Sequence, residues 1–455
     1  MLDQTELRDP AACKSCHPTH YDEWSGSMHA YASDDPIFLA MNRRAQRETN
    51  GALGDFCVRC HAPLAVQEGL TTDGLNLAEL PQAKKGVTCF FCHAAESLDG
   101  THNNPLKLAT DGRLFGPFGD PAPGIPHRGL YSPMMDGTRA ESAAACGGCH
   151  DIVNQHGAAV ERTFQEWQQT LFAKPPLGLS CASGCHMTER KGPASIVSTK
   201  IRTLHDHSFP AVDVALTAFP QMEAQRRQVQ ELLDSVLQST LCVDSASRAI
   251  EVTLDNVGAG HGWPSGATPD RRVWVELSAS VGDKIIYQSG VLAPGDSLEN
   301  SPDPDLWLIR DCIYGEDHTE VKMFWEAASV ITNQIPGSVT PNINDMASFT
   351  KSHIRKVYPG AASGPLSELP DRVTLKVYMK AVGDDILADL VASGDLDPSI
   401  PPLVPTFPIG GATLEWTPQL GTPAPDLQGA KRLSCVTTGR YVATPNLAVS
   451  HARCE

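Results

Sequence analysis

Cys13-Lys14-Ser15-Cys16-His17 is the first of five stretches in which two cysteines close on a histidine. Cys57, Cys60 and His61 repeat it, as do Cys89, Cys92 and His93, and Cys146, Cys149 and His150. Cys181, Cys185 and His186 carry the same order with one extra residue. With 14 Cys and 16 His in 455 residues, chance alone supplies roughly 0.01 such matches. C-x-x-C-H is the signal for covalent haem attachment: each sulfur adds to one vinyl group and the adjacent histidine is held under the iron as proximal ligand. A zinc knuckle would need a second ligand pair nearby, and a redox dithiol usually opens a helix in a βαβ unit. Neither context recurs here; a disulfide loop is the third bland reading of each site. Five covalently bound haem c groups are therefore expected.

The 174 residues from Cys13 to His186 leave about 35 per haem, too few for a side-chain core around each one. The haems themselves should form the core of residues 1–215, wrapped by short helices and polar, Gly- and Pro-rich loops. His17, Tyr21, Trp24 and Met28 fall at helical spacing behind Pro18, which predicts a helix along the first site. Residues 216–240 read as a linking helix, with Pro220 at its start and Met222, Val229, Leu232, Leu233, Val236 and Leu237 on one stripe.

From residue 241 to 455 the period changes to two. Ile250, Val252 and Leu254 alternate with Glu251, Thr253 and Asp255, and Val273, Val275 and Leu277 continue the pattern. Gly282-Asp283 suits a hairpin turn before Ile285 and Tyr287. Val373, Leu375, Val377 and Met379 predict another strand, and a short helix is expected from Asp384 to Val391 with Gly394 as its stop. Strands separated by turn clusters indicate a sandwich-like all-β domain. Cys242, Cys312, Cys435 and Cys454 lie outside the five sites. In an oxidising compartment they form one or two disulfides in preference to free thiols.

The formal charge of −17 argues against nucleic acid and anionic lipid as partners. It favours basic redox proteins or a positively charged docking face, and serves solubility equally well. No run of 18 apolar residues occurs, so no transmembrane segment is expected. Met1-Leu2-Asp3-Gln4 lacks the basic region and apolar core of a signal peptide. Attachment of this type nonetheless takes place outside the cytoplasm, so a leader is expected to have been removed or to lie outside this numbering.

Five proximal histidines leave 11 of the 16. A second imidazole makes the iron six-coordinate and suited to electron transfer, whereas an open position admits small molecules. The candidates for the far side are His29, His102, His127, His207 and His261, with His156 and His205 in reserve. His20, His318, His353 and His451 read as ordinary residues, and Met187 is too close to His186 to reach over the same iron.

The first half resembles the multihaem c-type cytochrome family, and is similar to the tetrahaem carriers that accept electrons from hydroxylamine oxidoreductase. The likeness rests on four motifs in order, Ser27-Met28-His29-Ala30 after Tyr21 and Trp24, Gly86-Val87 before Cys89, a histidine some ten residues after His93, and Leu204-His205-Asp206-His207. It implies that His29 ligates a haem other than the first and that His102 is a distal ligand, with a further role for His207 or His205. The wider fifth motif and the β half have no counterpart in those carriers. The segment from Asn256 to Gly266, followed by Arg271, Arg272 and the Val273 strand, is similar to β modules on other exported multihaem cytochromes, which makes His261 a distal candidate contributed by the β domain.

The expected protein is thus a periplasmic or extracellular pentahaem cytochrome passing electrons between redox partner proteins along closely packed, mostly bis-histidine haems. One rival is an oxidoreductase with an open haem acting on a small nitrogen or sulfur compound; another is the self-associating subunit of a haem-chain filament.

Overall fold

The computed structural model describes residues 2–120, 126–293, 295–337, 353–441, 443 and 454. His451 lies outside them. The chain divides into two compact units: Met1–Gln168 with Phe172–Val229 and Leu387–Leu403, and Gln169–Leu171 with Gln230–Ile386 and Val404–Glu455. Among the described residues no helix is long and apolar enough to cross a membrane.

The first unit is built of short pieces because capping residues and Gly or Pro interrupt it every few turns. The helix after His17 runs only over Pro18–Ser25 and is closed at Gly26. Met28 therefore does not continue it, as its spacing had suggested. Ser27 accepts from the Ala30 N–H and starts a separate helix, Met28–Tyr31. Asp35 caps the longer helix Pro36–Glu48, whose buried face carries Ile37, Phe38, Ala40 and Ala45. Its outer face is basic and meets the segment Leu387–Leu403 of the same unit: Arg44 Nη1 lies 2.5 Å from Asp389, and Arg47 makes two 2.6 Å bonds to the Asp395 carboxylate.

Apolar packing here is dispersed. Phe38, Val58, Ala62, Ala65 and Leu77 form one small cluster, and Leu7, Leu64, Phe90 and Ala94 another. Two-stranded ribbons, which the sequence reading did not predict, brace the loops: Ala95–Leu98 with Leu106–Leu108, Ile152–Val153 with Ala159–Glu161, Glu189–Pro193 with Ile201–His205, and the parallel pair Arg113–Gly116 with Arg128–Tyr131. Such strands of two to five residues are too short to show an alternation.

The helix expected over 216–240 is confined to Met222–Asp234. A strand begins at Leu237, so Val236 and Leu237 are buried in another conformation; their apolar character fits either period. The division between the units falls inside this helix, after Val229.

The second unit holds two larger antiparallel sheets. One has the order His353–Tyr358, Ala249–Asn256, Leu237–Asp244, Leu433–Thr437, Thr422–Ala424. The other has the order Lys284–Ser289, Arg272–Val281, Arg372–Lys380, Thr406–Pro408, with Trp307–Ile309 and Leu414–Trp416 paired to its inner strands. The alternating sets Ile250, Val252, Leu254 and Val273, Val275, Leu277 are fully buried, which is what fixes strand register. Cys242 and Cys435 are direct cross-strand partners and form a disulfide; Cys312 bonds Cys454. Arg272, 1 % exposed, is held in the interior by Glu299 and by Asp385 at 2.8 Å. The helix near residue 384 spans Asp384–Ala392.

Candidate haem-binding site

Each motif folds as a single tight turn. The N–H of His17 donates to the Cys13 carbonyl (2.8 Å), that of His61 to Cys57 (3.3 Å) and that of His150 to Cys146 (3.0 Å). Cys89–His93 is itself one short helix, capped by the Thr88 hydroxyl accepting from the Phe91 N–H. The turn gathers two sulfurs and an imidazole on one side of the backbone. The extra residue of the fifth motif is absorbed without opening it: the His186 N–H reaches the Cys181 carbonyl at 3.2 Å, with Gly184 at φ +88° supplying the looser turn. All ten motif cysteines are free and half-buried, whereas the other four are paired.

All five motif histidines have Nδ1 held by an acceptor. His17 Nδ1 lies 2.7 Å from the Ala194 carbonyl, His61 3.0 Å from Ala32, His93 2.7 Å from Phe115 and His186 2.7 Å from Pro210. His150 differs: its partner is the Glu161 carboxylate, at 3.2 Å. An acceptor at Nδ1 requires the proton there, which leaves the lone pair on Nε2 and fixes the ring plane, the usual outer support of a metal-bound imidazole. Phe38 adds a second restraint at His61, stacked on its ring at 3.9 Å and 2°.

Three further histidines stand opposite motif histidines. His127 faces His17 with ring centres 6.3 Å apart, His207 faces His93 at 6.4 Å, and His29 faces His150 at 6.3 Å. A metal bonded at about 2 Å to each of two imidazoles holds their centres roughly 6 Å apart. The separations therefore fit a hexacoordinate iron between the rings, and the free sulfurs fit thioether attachment. Burial, reinforced by the facing His150 or His93, lowers the pKa of His29 and of His207 to about 3; burial and then His17 lower that of His127. These rings stay neutral, the form that ligates metal. His150 moves the other way: burial opposes its charge, but Glu161 overrides this and raises it to about 9.

The other candidates are placed differently. His102 is exposed, with Nδ1 3.1 Å from the Thr101 hydroxyl. His156 is exposed at the turn of the Ile152–Glu161 ribbon. His205 ends a strand, its Nδ1 3.0 Å from the Ala182 carbonyl. His261 belongs to the second unit, its Nδ1 2.7 Å from the Gly262 carbonyl. His20, read as ordinary, stands within the cluster, 6.0 Å from the His17 ring and edge-on to His207 at 5.1 Å. Burial, with Arg190 and His17, lowers its pKa to about 4. Its position three residues after a motif histidine, on the helix covering that site, was a signal available from sequence.

Sulfurs of different motifs also lie near one another: Cys13 is close to Cys89, Cys60 to Cys149 and Cys146 to Cys181, and Cys92 lies within electrostatic range of Cys146. The first site thus adjoins the third, and the fourth adjoins the second, third and fifth.

Residues 12–94, with the first three motifs, match the family model described as cytochrome c554 and c-prime. The whole chain is similar in structure to a penta-haem cytochrome c552 from Thermochromatium tepidum, with a TM-score of 0.60, 19 % identity, and coverage of 91 % of this chain and 98 % of that one. The chain carries the fold of a multihaem c-type cytochrome. No curated protein sequence matches it. Coverage of 91 % extends the cytochrome's likeness well past the haem motifs into the β half, beyond the tetrahaem carriers noted from the motifs. The ten sulfurs and five supported imidazoles are what covalently bound haem c requires.

Proposed function

We propose that this chain is an exported pentahaem cytochrome that conducts electrons through closely packed, mostly bis-histidine haems, with a β half of sandwich type. The observation that carries the reading is the set of three imidazole pairs, His17 with His127, His93 with His207 and His150 with His29, at 6.3 to 6.4 Å. Bound haem c supplies one-electron exchange with little rearrangement when both axial positions hold imidazole.

In this reading the ten motif cysteines anchor five haems, and His17, His61, His93, His150 and His186 are the proximal ligands. His127, His207 and His29 complete three sites. His102, His156, His205 and His261 are alternates, ranked behind those pairs because the pairs already have ligand spacing. The carbonyls of Ala194, Ala32, Phe115 and Pro210 hold the proximal rings so that nothing has to turn when the charge changes. Burial of His29 and His207 keeps both as neutral donors. The two disulfides of the β unit favour an oxidising location, periplasmic or extracellular. The acidic chain suits a partner with a basic docking face.

Intact-mass measurement of the purified protein should give five additions of roughly 600 Da each. Resting electron paramagnetic resonance (EPR) spectra should be dominated by low-spin signals. Three or fewer additions would end the pentahaem reading, and a dominant high-spin signal that changes with an added small ligand would favour an enzyme with an open haem.

A further inference from the structure

The fourth site differs from the other four in what supports its proximal histidine. His17, His61, His93 and His186 each donate from Nδ1 to a neutral backbone carbonyl, whereas His150 donates to the Glu161 carboxylate at 3.2 Å. The arrangement is built by the fold. Asn154 makes the turn of the ribbon, its side chain accepting from the N–H groups of His156 and Ala158 at 3.0 and 2.9 Å. Glu161 then pairs with Ile152 across the ribbon, which returns its side chain to His150 eleven residues earlier. The adjacent Arg162 turns instead to Asp151, at 3.4 Å, leaving Glu161 on the imidazole. The Glu161 side chain is 12 % exposed and that of His150 53 %, so solvent reaches the contact from the imidazole side and screens it in part.

We propose that Glu161 is a positioning residue that makes the haem on His150 the most negative in reduction potential of the five. A carboxylate is a stronger acceptor than an amide carbonyl, so it draws the Nδ1 proton further and leaves Nε2 a more basic ligand. A more basic ligand, and a fixed negative charge beside it, stabilise ferric over ferrous iron. The position gives this consequence, because the sulfurs of this site lie close to those of the second, third and fifth. The site hardest to reduce is then the junction of the array and not one of its ends. The proposal rests on the pentahaem reading above.

The test is a spectroelectrochemical titration of the haem-loaded protein, comparing wild type with Glu161→Gln and Glu161→Ala. Gln keeps the shape and a neutral oxygen acceptor, which converts the fourth site to the kind of support the other four have. The most negative of the five components should move positive by at least tenfold in its redox equilibrium constant, about 59 mV for one electron, while the other four stay in place. Glu161→Ala should move the same component at least as far. An unmoved lowest component, or a uniform shift of all five, would overturn the proposal. Intact mass separates the two levels of failure: fewer than five haems on wild type refutes the pentahaem reading, whereas loss of one haem only in both variants shows that Glu161 serves attachment and refutes its role in potential.

Discussion

Replacing Gly86 by alanine should disturb His29 from a distance of 57 residues in sequence. Gly86 has φ +66°, and a Cβ added there would lie 2.5 Å from the His29 carbonyl oxygen and 2.7 Å from that of Ala30. Even a weak C–H···O contact keeps about 3.3 Å, so the His29 backbone must retreat by about 0.8 Å. It has little room, because its carbonyl accepts from the Val87 N–H at 2.8 Å and the Gly86 N–H is tied to Ser33 at 2.6 Å. The left-handed backbone costs a non-glycine residue about 1–2 kcal/mol, and the forced shift about 1–3 kcal/mol more. Gly69→Ala isolates the first part, since Gly69 has φ +69° with nothing within 4 Å of the added Cβ. At about 2–4 °C per kcal/mol for a unit of this size, Gly86→Ala should melt roughly twice as far below wild type as Gly69→Ala. It should also alter the EPR component of one low-spin haem, which Gly69→Ala leaves alone. Equal melting temperatures and identical spectra for the two variants would refute the coupling of Gly86 to His29.

Arg272→Met should destabilise the β unit by about 3–5 kcal/mol in denaturant unfolding, because it removes the buried partner of the half-buried Glu299 and Asp385 carboxylates; a loss under 1 kcal/mol would contradict that. Replacing Cys242 and Cys435 by alanine removes a link across 193 residues and should cost about 2–5 kcal/mol, with haem spectra unchanged. His127→Leu should convert one low-spin EPR component to high spin, whereas His102→Leu, at an exposed residue, should leave the spectrum as it is. Hydrogen bonding to Arg47 holds the Asp395 pKa below its ordinary value. The stability this gives is complete above pH 3.8 and lost as pH falls through the depressed folded value; Arg47→Gln should flatten that acid limb, seen by unfolding at pH 2 to 5.

The five motifs were legible because everything they consist of is local: two sulfurs and an imidazole within five or six residues, closed by one backbone turn. The β strands were legible where alternation ran long enough, as in Ile250, Val252 and Leu254. The ribbons of the first unit escaped because pieces such as Ile152–Val153 carry no period. Met28 was placed on the wrong helix because its spacing counted and the break at Gly26 and Ser27 did not. The end of the helix at Asp234 was hidden for a similar reason: Val236 and Leu237 suit a helical stripe and a strand equally.

By itself the sequence determined where the haem-attachment motifs lie and which imidazole each would offer to an iron, since the histidine directly follows the second cysteine. Only the tertiary structure decided which further histidines face motif histidines: 110 residues separate His17 from His127, and 121 separate His29 from His150. Nothing local distinguishes half-buried His29 from exposed His102. The same holds for what supports the proximal rings. Four of the five acceptors are backbone carbonyls, present at every residue and so without a signature, and the fifth, Glu161, is recognisable only once its ribbon has folded back onto His150.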